Sequence, residues 1–211
     1  MKSTLDLSCF KNNDIRGIIG EQINEHLAFL LGKAFGEHVL FASAKTSLDD
    51  LAQVVIGRDN RETSLSLQKA ITKGLNESGI SVIDLGMTGT EEIYFATRHL
   101  QAIGGIQITA SHNPINYNGM KLVGAGASPI SKNSGLDAIK QRIEVLDQQP
   151  VSDLPTSHVQ PSYSCRTTSI LAPYVEHLLS YITPSRLSPM KIVVNAGNGV
   201  AGHVIDALEK K

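Results

Sequence analysis

The stretch of sequence that decides the fold is Gly104-Gly105-Ile106-Gln107-Ile108-Thr109-Ala110-Ser111-His112-Asn113-Pro114. Ile106 and Ile108 give the period-two pattern of a β-strand, and Asn113-Pro114 ends it with strong turn chemistry. Ser111 is therefore expected on a loop at the carboxyl end of a buried strand, the edge where α/β sheets bind ligands. Because the loop offers a hydroxyl, an imidazole and an amide within three residues, Ser111 is the candidate nucleophile. Local chemistry alone favours an ordinary turn stabilised by Ser and Asn side chains.

Helices and strands alternate around this stretch. Apolar residues at helical spacing predict four amphipathic helices, near 24–35, 67–75, 91–100 and 136–146. Asn24 is the expected N-cap of the first helix, and Gly79 closes the second. Short apolar runs predict strands at 54–56, 82–85, 106–108 and 120–123. This alternation indicates an α/β layer fold.

A polar stretch from Gln148 to Pro161 contains three prolines and no apolar period, so we expect a domain boundary there. Residues 1–150 form the predicted first domain, and residues 151–162 form a linker. Beyond it, the pattern predicts a helix around 172–182, a strand at Lys191–Val194 and a helix beginning near Val200. Since one strand and two helices cannot close a core, residues 163–211 are expected to be the incomplete start of a second domain.

Composition excludes several classes of protein. Of the 211 residues, 41% are hydrophobic and 18% are charged, which is ordinary for a globular protein and argues against disorder and membrane spanning. The net charge of −1 and the lack of a Lys/Arg-rich run give no electrostatic reason to expect nucleic acid. Cys9 and Cys165 form no C-x-x-C pair, and Asp6 interrupts the only candidate export signal. We therefore expect a cytoplasmic protein with reduced thiols; its oligomeric state stays open.

Five stretches together are far more specific than the Ser111 loop alone. They are Phe10-Lys11-Asn12-Asn13-Asp14-Ile15-Arg16-Gly17, Ile56 to Ser64, Thr109 to Pro114, Tyr117 to Val123, and Gly197 to Gly202. Their order is that of the α-D-phosphohexomutases, and the chain resembles the amino-terminal part of such an enzyme from residue 5 to its end. Gly86 to Thr97 is similar to the bacterial phosphomannomutases of surface-polysaccharide (GDP-mannose) synthesis. The resemblance implies a three-layer α/β/α domain with a mixed sheet, followed by the start of a second similar domain.

The resemblance also implies a reaction. A phosphomannomutase interconverts mannose 6-phosphate and mannose 1-phosphate, and the serine that matches Ser111 carries the phosphoryl group. Hexose 1,6-bisphosphate is the intermediate and activator, and Mg²⁺ binds the serine phosphate together with an Asp-rich loop, D-G-D-x-D-R. Nothing in this chain matches that loop, so we expect the other metal ligands to lie beyond it and the chain to be inactive by itself. A phosphoglucomutase or an enzyme of dual specificity is the alternative.

Four further residues take roles from the same resemblance. Arg16 and Lys121 match active-site cations, and Lys121 is also a candidate for moving protons. His112 has a supporting role in orienting the serine ester or the substrate, and Asn113 is expected to help bind phosphate. Taken singly, Arg16 is more typical of a surface ion pair, for example with Asp14, and Lys121 is more typical of a solvated residue on the polar face of an edge strand.

Three charged residues, Arg58, Asp59 and Arg61, are interpreted as a structural ion cluster beneath the site. Other functions remain as alternatives. Gly197 to Gly202 satisfies the dinucleotide fingerprint G-x-G-x-x-G after a predicted strand, which is weak support for an NAD-dependent oxidoreductase. Ala110-Ser111-His112 is not the G-x-S-x-G elbow of a serine hydrolase. A phosphoprotein or a sugar-phosphate binding module is the non-enzymatic alternative.

Overall fold

The centre of the fold is a six-stranded mixed sheet. The structure, a computed structural model, describes residues 5–43, 52–149 and 164–211. The strands are β1 (Ile15–Ile18), β2 (Gln53–Arg58), β3 (Ser81–Met87), β4 (Gly104–Ile108), β5 (Tyr117–Gly124) and β6 (Cys165–Thr167). Their spatial order is β1-β5-β4-β2-β3-β6. β5 pairs antiparallel with β1 and β4, and the other neighbours are parallel.

Helices cover both faces of this sheet. They are α1 (Glu25–Ser43), α2 (Ser64–Glu77), α3 (Thr90–His99), α4 (Leu136–Asp147), α5 (Leu171–Leu179) and α6 (Gly202–Glu209). Alternate residues of β2 face opposite ways: Val54 and Ile56 join the core formed with α1, α2 and α4, whereas Val55 packs with Ile93 of α3. The predicted three-layer α/β/α fold with a mixed sheet is confirmed.

The first four helices follow their sequence signals closely. The side chain of Asn24 accepts a hydrogen bond of 2.8 Å from the backbone N–H of Leu27, as expected of an N-cap. Gly79, with φ of 82°, follows α2. Gly104 and Gly105 lie inside β4 rather than before it. A Cβ at Gly104 would lie 2.8 Å from the Phe35 ring, so a helix packs closely on the strand there.

The carboxyl-terminal part differs from its prediction in two places. β6, which the sequence did not predict, adds to the edge of the sheet in parallel pairing with β3. Lys191–Val194 is not a strand, and the prediction of one is wrong. Ile192 and Val193 are 71% and 86% exposed, because the described part of the chain offers this segment neither a neighbouring strand nor a packing surface. The predicted linker 151–162 lies outside the described residues, and the division into domains stays a prediction.

Sheet topology brings the functional loops together. Because β2, β3 and β4 are parallel neighbours, the loops after them leave the same edge of the sheet. β1 and β5 add their own residues beside that edge, with Arg16 opposite Gly119 in the ladder. None of the helices within the described ranges is long and apolar enough to cross a membrane.

Candidate active site

Ser111 lies on the loop after β4 and is exposed, as the sequence predicted. Its backbone is left-handed, with φ of 54°, a conformation that costs a residue other than glycine about 1–3 kcal/mol. The backbone N–H of Ser111 donates to Oγ1 of Thr109 at 2.9 Å. Its own hydroxyl lies 3.2 Å from Nδ1 of His112. The two side chains are therefore within hydrogen-bonding distance, which is compatible with the supporting role predicted for His112.

Arg16 connects β1 to the Ser111 loop. Its Nη1 donates to the side-chain oxygen of Asn113 at 2.7 Å, and its Nη2 donates to Asp14 at 2.6 Å. The ion pair with Asp14 is thus present, but the same guanidinium also reaches the loop. Both partners are largely buried, with 22% of the Arg16 side chain and 15% of the Asp14 side chain exposed. Arg16 is therefore more than a surface ion pair.

Lys121 belongs to the same group through Asp14, whose Oδ2 lies 3.5 Å from the lysine Nζ. The reading of Lys121 as a residue of an edge strand is wrong, because β5 is flanked by β1 on one side and β4 on the other. Its side chain is 28% exposed. Two cations thus share one carboxylate beside the loop that carries Ser111, and the region is rich in positive charge.

A cleft of about 720 Å³ opens above the carboxyl edge of the sheet. Of the predicted site residues, Ser111, His112 and Asn113 line it, whereas Arg16 and Lys121 do not. Arg16 connects to the cleft through Asn113, and Lys121 connects only to Asp14, which Arg16 also binds. The rest of the wall comes from the loops after β2 and β3 and from the segment before α6, chiefly Asn60, Glu62, Thr88 to Thr90 and Asn198 to Val200. A phosphorylated sugar is of a size that such a cleft accommodates.

Sequence analysis did not identify the residues that form the floor and one wall of the cleft. Buried Gln107 donates from Nε2 to the carbonyl of Thr88 at 2.7 Å, and Thr88 Oγ1 donates to Gln107 Oε1 at 3.0 Å. A glutamine inside an apolar strand was the signal for this pair. Asn60 donates to the carbonyl of Asn198 at 2.7 Å, a contact between distant segments for which the sequence carries no signal.

Asp59 and Arg61 form the expected ion pair, with Nε of the arginine 3.3 Å from Oδ2 of the aspartate. Asp59 Oδ1 accepts hydrogen bonds from the Arg61 backbone N–H at 3.0 Å and from Ser64 Oγ at 2.6 Å. Arg58 makes no ion pair within the part of the chain that the structure describes, and its Nη1 lies 3.5 Å from the Asp59 carbonyl. The predicted cluster is thus a pair, Asp59 with Arg61.

His203, in the first turn of α6, connects this helix and the segment before it to α3. Its Nε2 lies 2.9 Å from Oε1 of Glu92, and its Nδ1 lies 2.6 Å from the carbonyl of Val200. Partial burial alone would lower the pKa of His203. This effect of burial is outweighed by the hydrogen bond and negative charge of Glu92, by the Val200 carbonyl and by the charge of Asp206. The pKa of His203 is therefore raised above its ordinary value.

Two further features of the described residues bear on cofactors. Within residues 5–43, 52–149 and 164–211, no three His, Cys, Asp or Glu side chains come together as a metal site. The G-x-G-x-x-G match at 197–202 needs a preceding strand, but the segment before it is not one, and α6 begins only at Gly202. The dinucleotide interpretation therefore has no support from the fold.

The fold and the site define a three-layer α/β protein that presents an exposed serine hydroxyl on a loop at the carboxyl edge of its sheet. A family model described as "Phosphoglucomutase/phosphomannomutase, alpha/beta/alpha domain I" matches residues 8–150. The chain belongs to this family, the α-D-phosphohexomutases.

Individual relatives agree with this assignment. A phosphomannomutase of Salmonella montevideo is 48% identical over 206 residues, which cover 98% of this chain and 42% of that protein. A phosphomannomutase of Vibrio cholerae serotype O1 is 46% identical, with the same coverage of both chains. Among solved structures, a phosphoglucomutase/phosphomannomutase family protein of Burkholderia thailandensis superposes with a TM-score of 0.78 at 30% identity, over 98% of this chain and 42% of that one. The chain therefore spans less than half the length of the relatives it matches.

Proposed function

We propose that the chain is the amino-terminal portion of a phosphomannomutase, an isomerase that moves a phosphoryl group between the 1- and 6-oxygens of mannose. The observation that carries the proposal is Ser111, exposed in the cleft on a left-handed loop, with an imidazole on its hydroxyl. Two thiols without a disulfide, the buried Cys9 and the exposed Cys165, fit the reducing cytoplasm that we propose as its compartment.

In the proposed reaction, Ser111 begins each turnover as a phosphoserine. The phosphorus–Oγ bond breaks as the free hydroxyl of a mannose monophosphate attacks phosphorus, which gives mannose 1,6-bisphosphate and the free serine. The proton released by the sugar hydroxyl passes to Oγ. The bisphosphate then presents its other phosphate, and Oγ of Ser111 attacks that phosphorus. The bond from phosphorus to the sugar oxygen breaks, the serine proton passes to that oxygen, and the isomeric monophosphate leaves with the phosphoserine restored. His112, 3.2 Å from Oγ, is placed to orient that oxygen and to hold its proton.

Phosphoryl transfer depends mostly on positioning and on neutralising negative charge. Arg16 approaches the loop through Asn113 at 2.7 Å, and Lys121 shares the carboxylate of Asp14 with it. Both cations are therefore proposed to stabilise the transferring phosphoryl group, with Asn113 fixing the position of the guanidinium. Lys121 is also proposed to take part in proton movement.

Magnesium is proposed to bind through the phosphate on Ser111, where it would neutralise charge on the transferring group. The described residues alone do not fit a magnesium site, since Mg²⁺ prefers an octahedral set of oxygen ligands and they form no cluster of carboxylates. Asp59, one of the carboxylates in the cleft wall, already accepts bonds from Arg61 and Ser64. The remaining ligands are proposed to come from outside these 211 residues, and the chain by itself is expected to show no significant turnover.

Mannose is proposed as the sugar because several relatives with 46–49% identity are named phosphomannomutases. Phosphoglucomutase activity is the second candidate, because the matching family model and the Burkholderia thailandensis structure carry both names. Values of kcat/KM with mannose 6-phosphate and with glucose 6-phosphate, measured on the full-length enzyme, separate the two. A ratio near one would indicate dual specificity.

The decisive experiment for the class of reaction is peptide mass spectrometry. Full-length enzyme incubated with mannose 1,6-bisphosphate is expected to carry phosphate on the peptide that contains residues 109–114, and a Ser111→Ala variant is expected to carry none there. Phosphate found only on other peptides would overturn the assignment of Ser111.

A further inference from the structure

The side chain of Arg61 makes more contacts with the Ser111 loop than any structural ion pair requires. We propose that Arg61 is a positioning residue for the reaction: it holds the loop from Ser111 to Tyr117 in the conformation that phosphoryl transfer uses. This inference rests on the proposed function of Ser111. It assigns to Arg61 a role in the rate of the reaction as well as in the stability of the fold.

The contacts are with the backbone of the loop. Nη1 of Arg61 donates to the carbonyl oxygens of Pro114 at 2.8 Å and Tyr117 at 3.1 Å. Nη2 donates to the carbonyl oxygens of Ser111 at 3.0 Å and Asn113 at 2.6 Å. Each terminal nitrogen of the guanidinium donates to two carbonyls, and Nε lies 3.3 Å from Oδ2 of Asp59 in an ion pair. One side chain thus fixes four carbonyls of a single loop.

Asp59 holds Arg61 in turn. Only 14% of each of these two side chains is exposed, so the pair is largely shielded from water. Asp59 is itself bound by Ser64 at 2.6 Å, and Ser64 accepts a hydrogen bond of 3.0 Å from buried Asn118, just beyond the loop. The base of the loop and the guanidinium at its centre are therefore fixed to the same segment, which ends β2 and begins α2.

The left-handed backbone of Ser111 explains why the hydrogen bonds from Arg61 matter for the reaction. Such a conformation persists in a residue other than glycine only where the surroundings determine it. Rotation of Ser111 to an ordinary backbone conformation would move its carbonyl oxygen away from Nη2 of Arg61 and carry Oγ away from its place in the cleft. Because a reacting atom displaced by about 1 Å can lose on the order of 10²-fold in rate, the four bonds bear directly on transfer.

The substitution that tests the inference is Arg61→Lys in the full-length enzyme. Lysine keeps the positive charge but offers its donors from one point, so it cannot bridge four carbonyls. We expect kcat to fall on the order of 10²-fold, with KM changed by less than about threefold. In hydrogen exchange, the amides of Ser111, Asn113 and Tyr117 are expected to lose protection, whereas those of residues 120–123, inside β5, keep it.

Arg142→Lys is the matched control, because Arg142 makes two hydrogen bonds to Glu37, at 2.6 and 3.1 Å, away from the loop. It is expected to leave kcat unchanged. If Arg61→Lys does not fold, Asp59→Asn provides the second test, with a smaller fall in kcat and the same loss of loop protection. A near-normal kcat in an Arg61→Lys enzyme, or an equal loss in Arg142→Lys, would overturn the inference.

Failure of the proposed function has a different signature. Wild-type enzyme that takes no phosphate on Ser111 would remove the function and, with it, the effect of Arg61 on rate. Hydrogen exchange would then still decide whether Arg61 holds the loop, since unchanged protection in Arg61→Lys contradicts that directly.

Discussion

The guanidinium of Arg16 and the side-chain amide of Asn113, 97 residues apart in sequence, are joined by a hydrogen bond of 2.7 Å. This bond brings a cation from β1 to a position two residues beyond Ser111 on the loop after β4. Asp14 binds the other terminal nitrogen of the same guanidinium. The orientation of Arg16 therefore depends on two acceptors, one from its own segment and one from the loop.

Removing one of these acceptors should slow the reaction. Asn113→Ala is expected to lower kcat/KM on the order of tenfold, since a hydrogen bond to a charged group contributes about 1.5–3 kcal/mol. Steady-state kinetics on the full-length enzyme measures the effect. Asn116→Ala, which changes an exposed asparagine of the same loop, is the control and should be close to wild type. Equal effects of the two substitutions would mean that the contact with Arg16 has no kinetic consequence.

Lys121 should affect chemistry more than binding. For Lys121→Ala we expect kcat to fall by ~10²-fold or more with a modest change in KM, the scale of losing one charge-stabilising donor. Lys121→Arg should restore activity only in part, because arginine keeps the charge but does not release a proton at working pH. The control is Lys132→Ala, which changes an exposed lysine. Near-normal kcat in Lys121→Ala would restore the interpretation of a solvated lysine.

His203 should make the attachment of α6 depend on pH. Its pKa is raised in the folded chain, chiefly by Glu92 acting against partial burial, so folding favours the protonated imidazole. Its contribution to stability is fully present below the ordinary pKa of 6.5 and is lost as pH rises through the raised pKa. Thermal unfolding of wild type and His203→Gln should therefore differ most at acid pH and converge at alkaline pH. Parallel curves across that range would contradict the prediction.

The crossing of α1 and α2 should be sensitive to a single methyl group. A Cβ at Gly74 would lie 2.1 Å from the backbone oxygen of Phe29, and the two helices cannot move apart without disturbing the core. Gly74→Ala is expected to lower the free energy of unfolding by about 1–3 kcal/mol, the range for overpacking. Gly202→Ala, where nothing lies within 4 Å, is the control and should be neutral or slightly stabilising. Chemical denaturation of both variants checks the difference.

Local patterns predicted the parts of this fold that depend on neighbours in sequence. The period of α1, its Asn24 cap and the strand that ends at the Ser111 loop all belong to this group. Lys191–Val194 shows the limit, because an apolar run becomes a strand only when another strand lies beside it. β6 shows the converse, since Cys165–Thr167 has no strand-like pattern and pairs only because β3 is available.

The residues of the candidate site also divide into those that local sequence predicts and those that only the folded structure reveals. Ser111, His112 and Asn113 could be named from one loop, but the hydrogen bonds of Arg61 to that loop could not, because nothing in the sequence relates an arginine after β2 to carbonyls after β4. Apolar and polar residues alternate around Lys121, and such alternation occurs in edge strands and in interior strands alike. Only the pairing of β5 with both β1 and β4 distinguishes them.

The pairing of β1 with β5 determines when, during folding, Arg16 comes to lie beside the Ser111 loop. Arg16 reaches Asn113 only after about a hundred intervening residues have closed into a loop, and contacts of such high sequence separation form late in folding. A chain that is still folding, or one that lacks β1, would thus display Ser111 without Arg16 beside its loop. The arrangement of side chains around Ser111 is complete only once this long-range strand pair has formed.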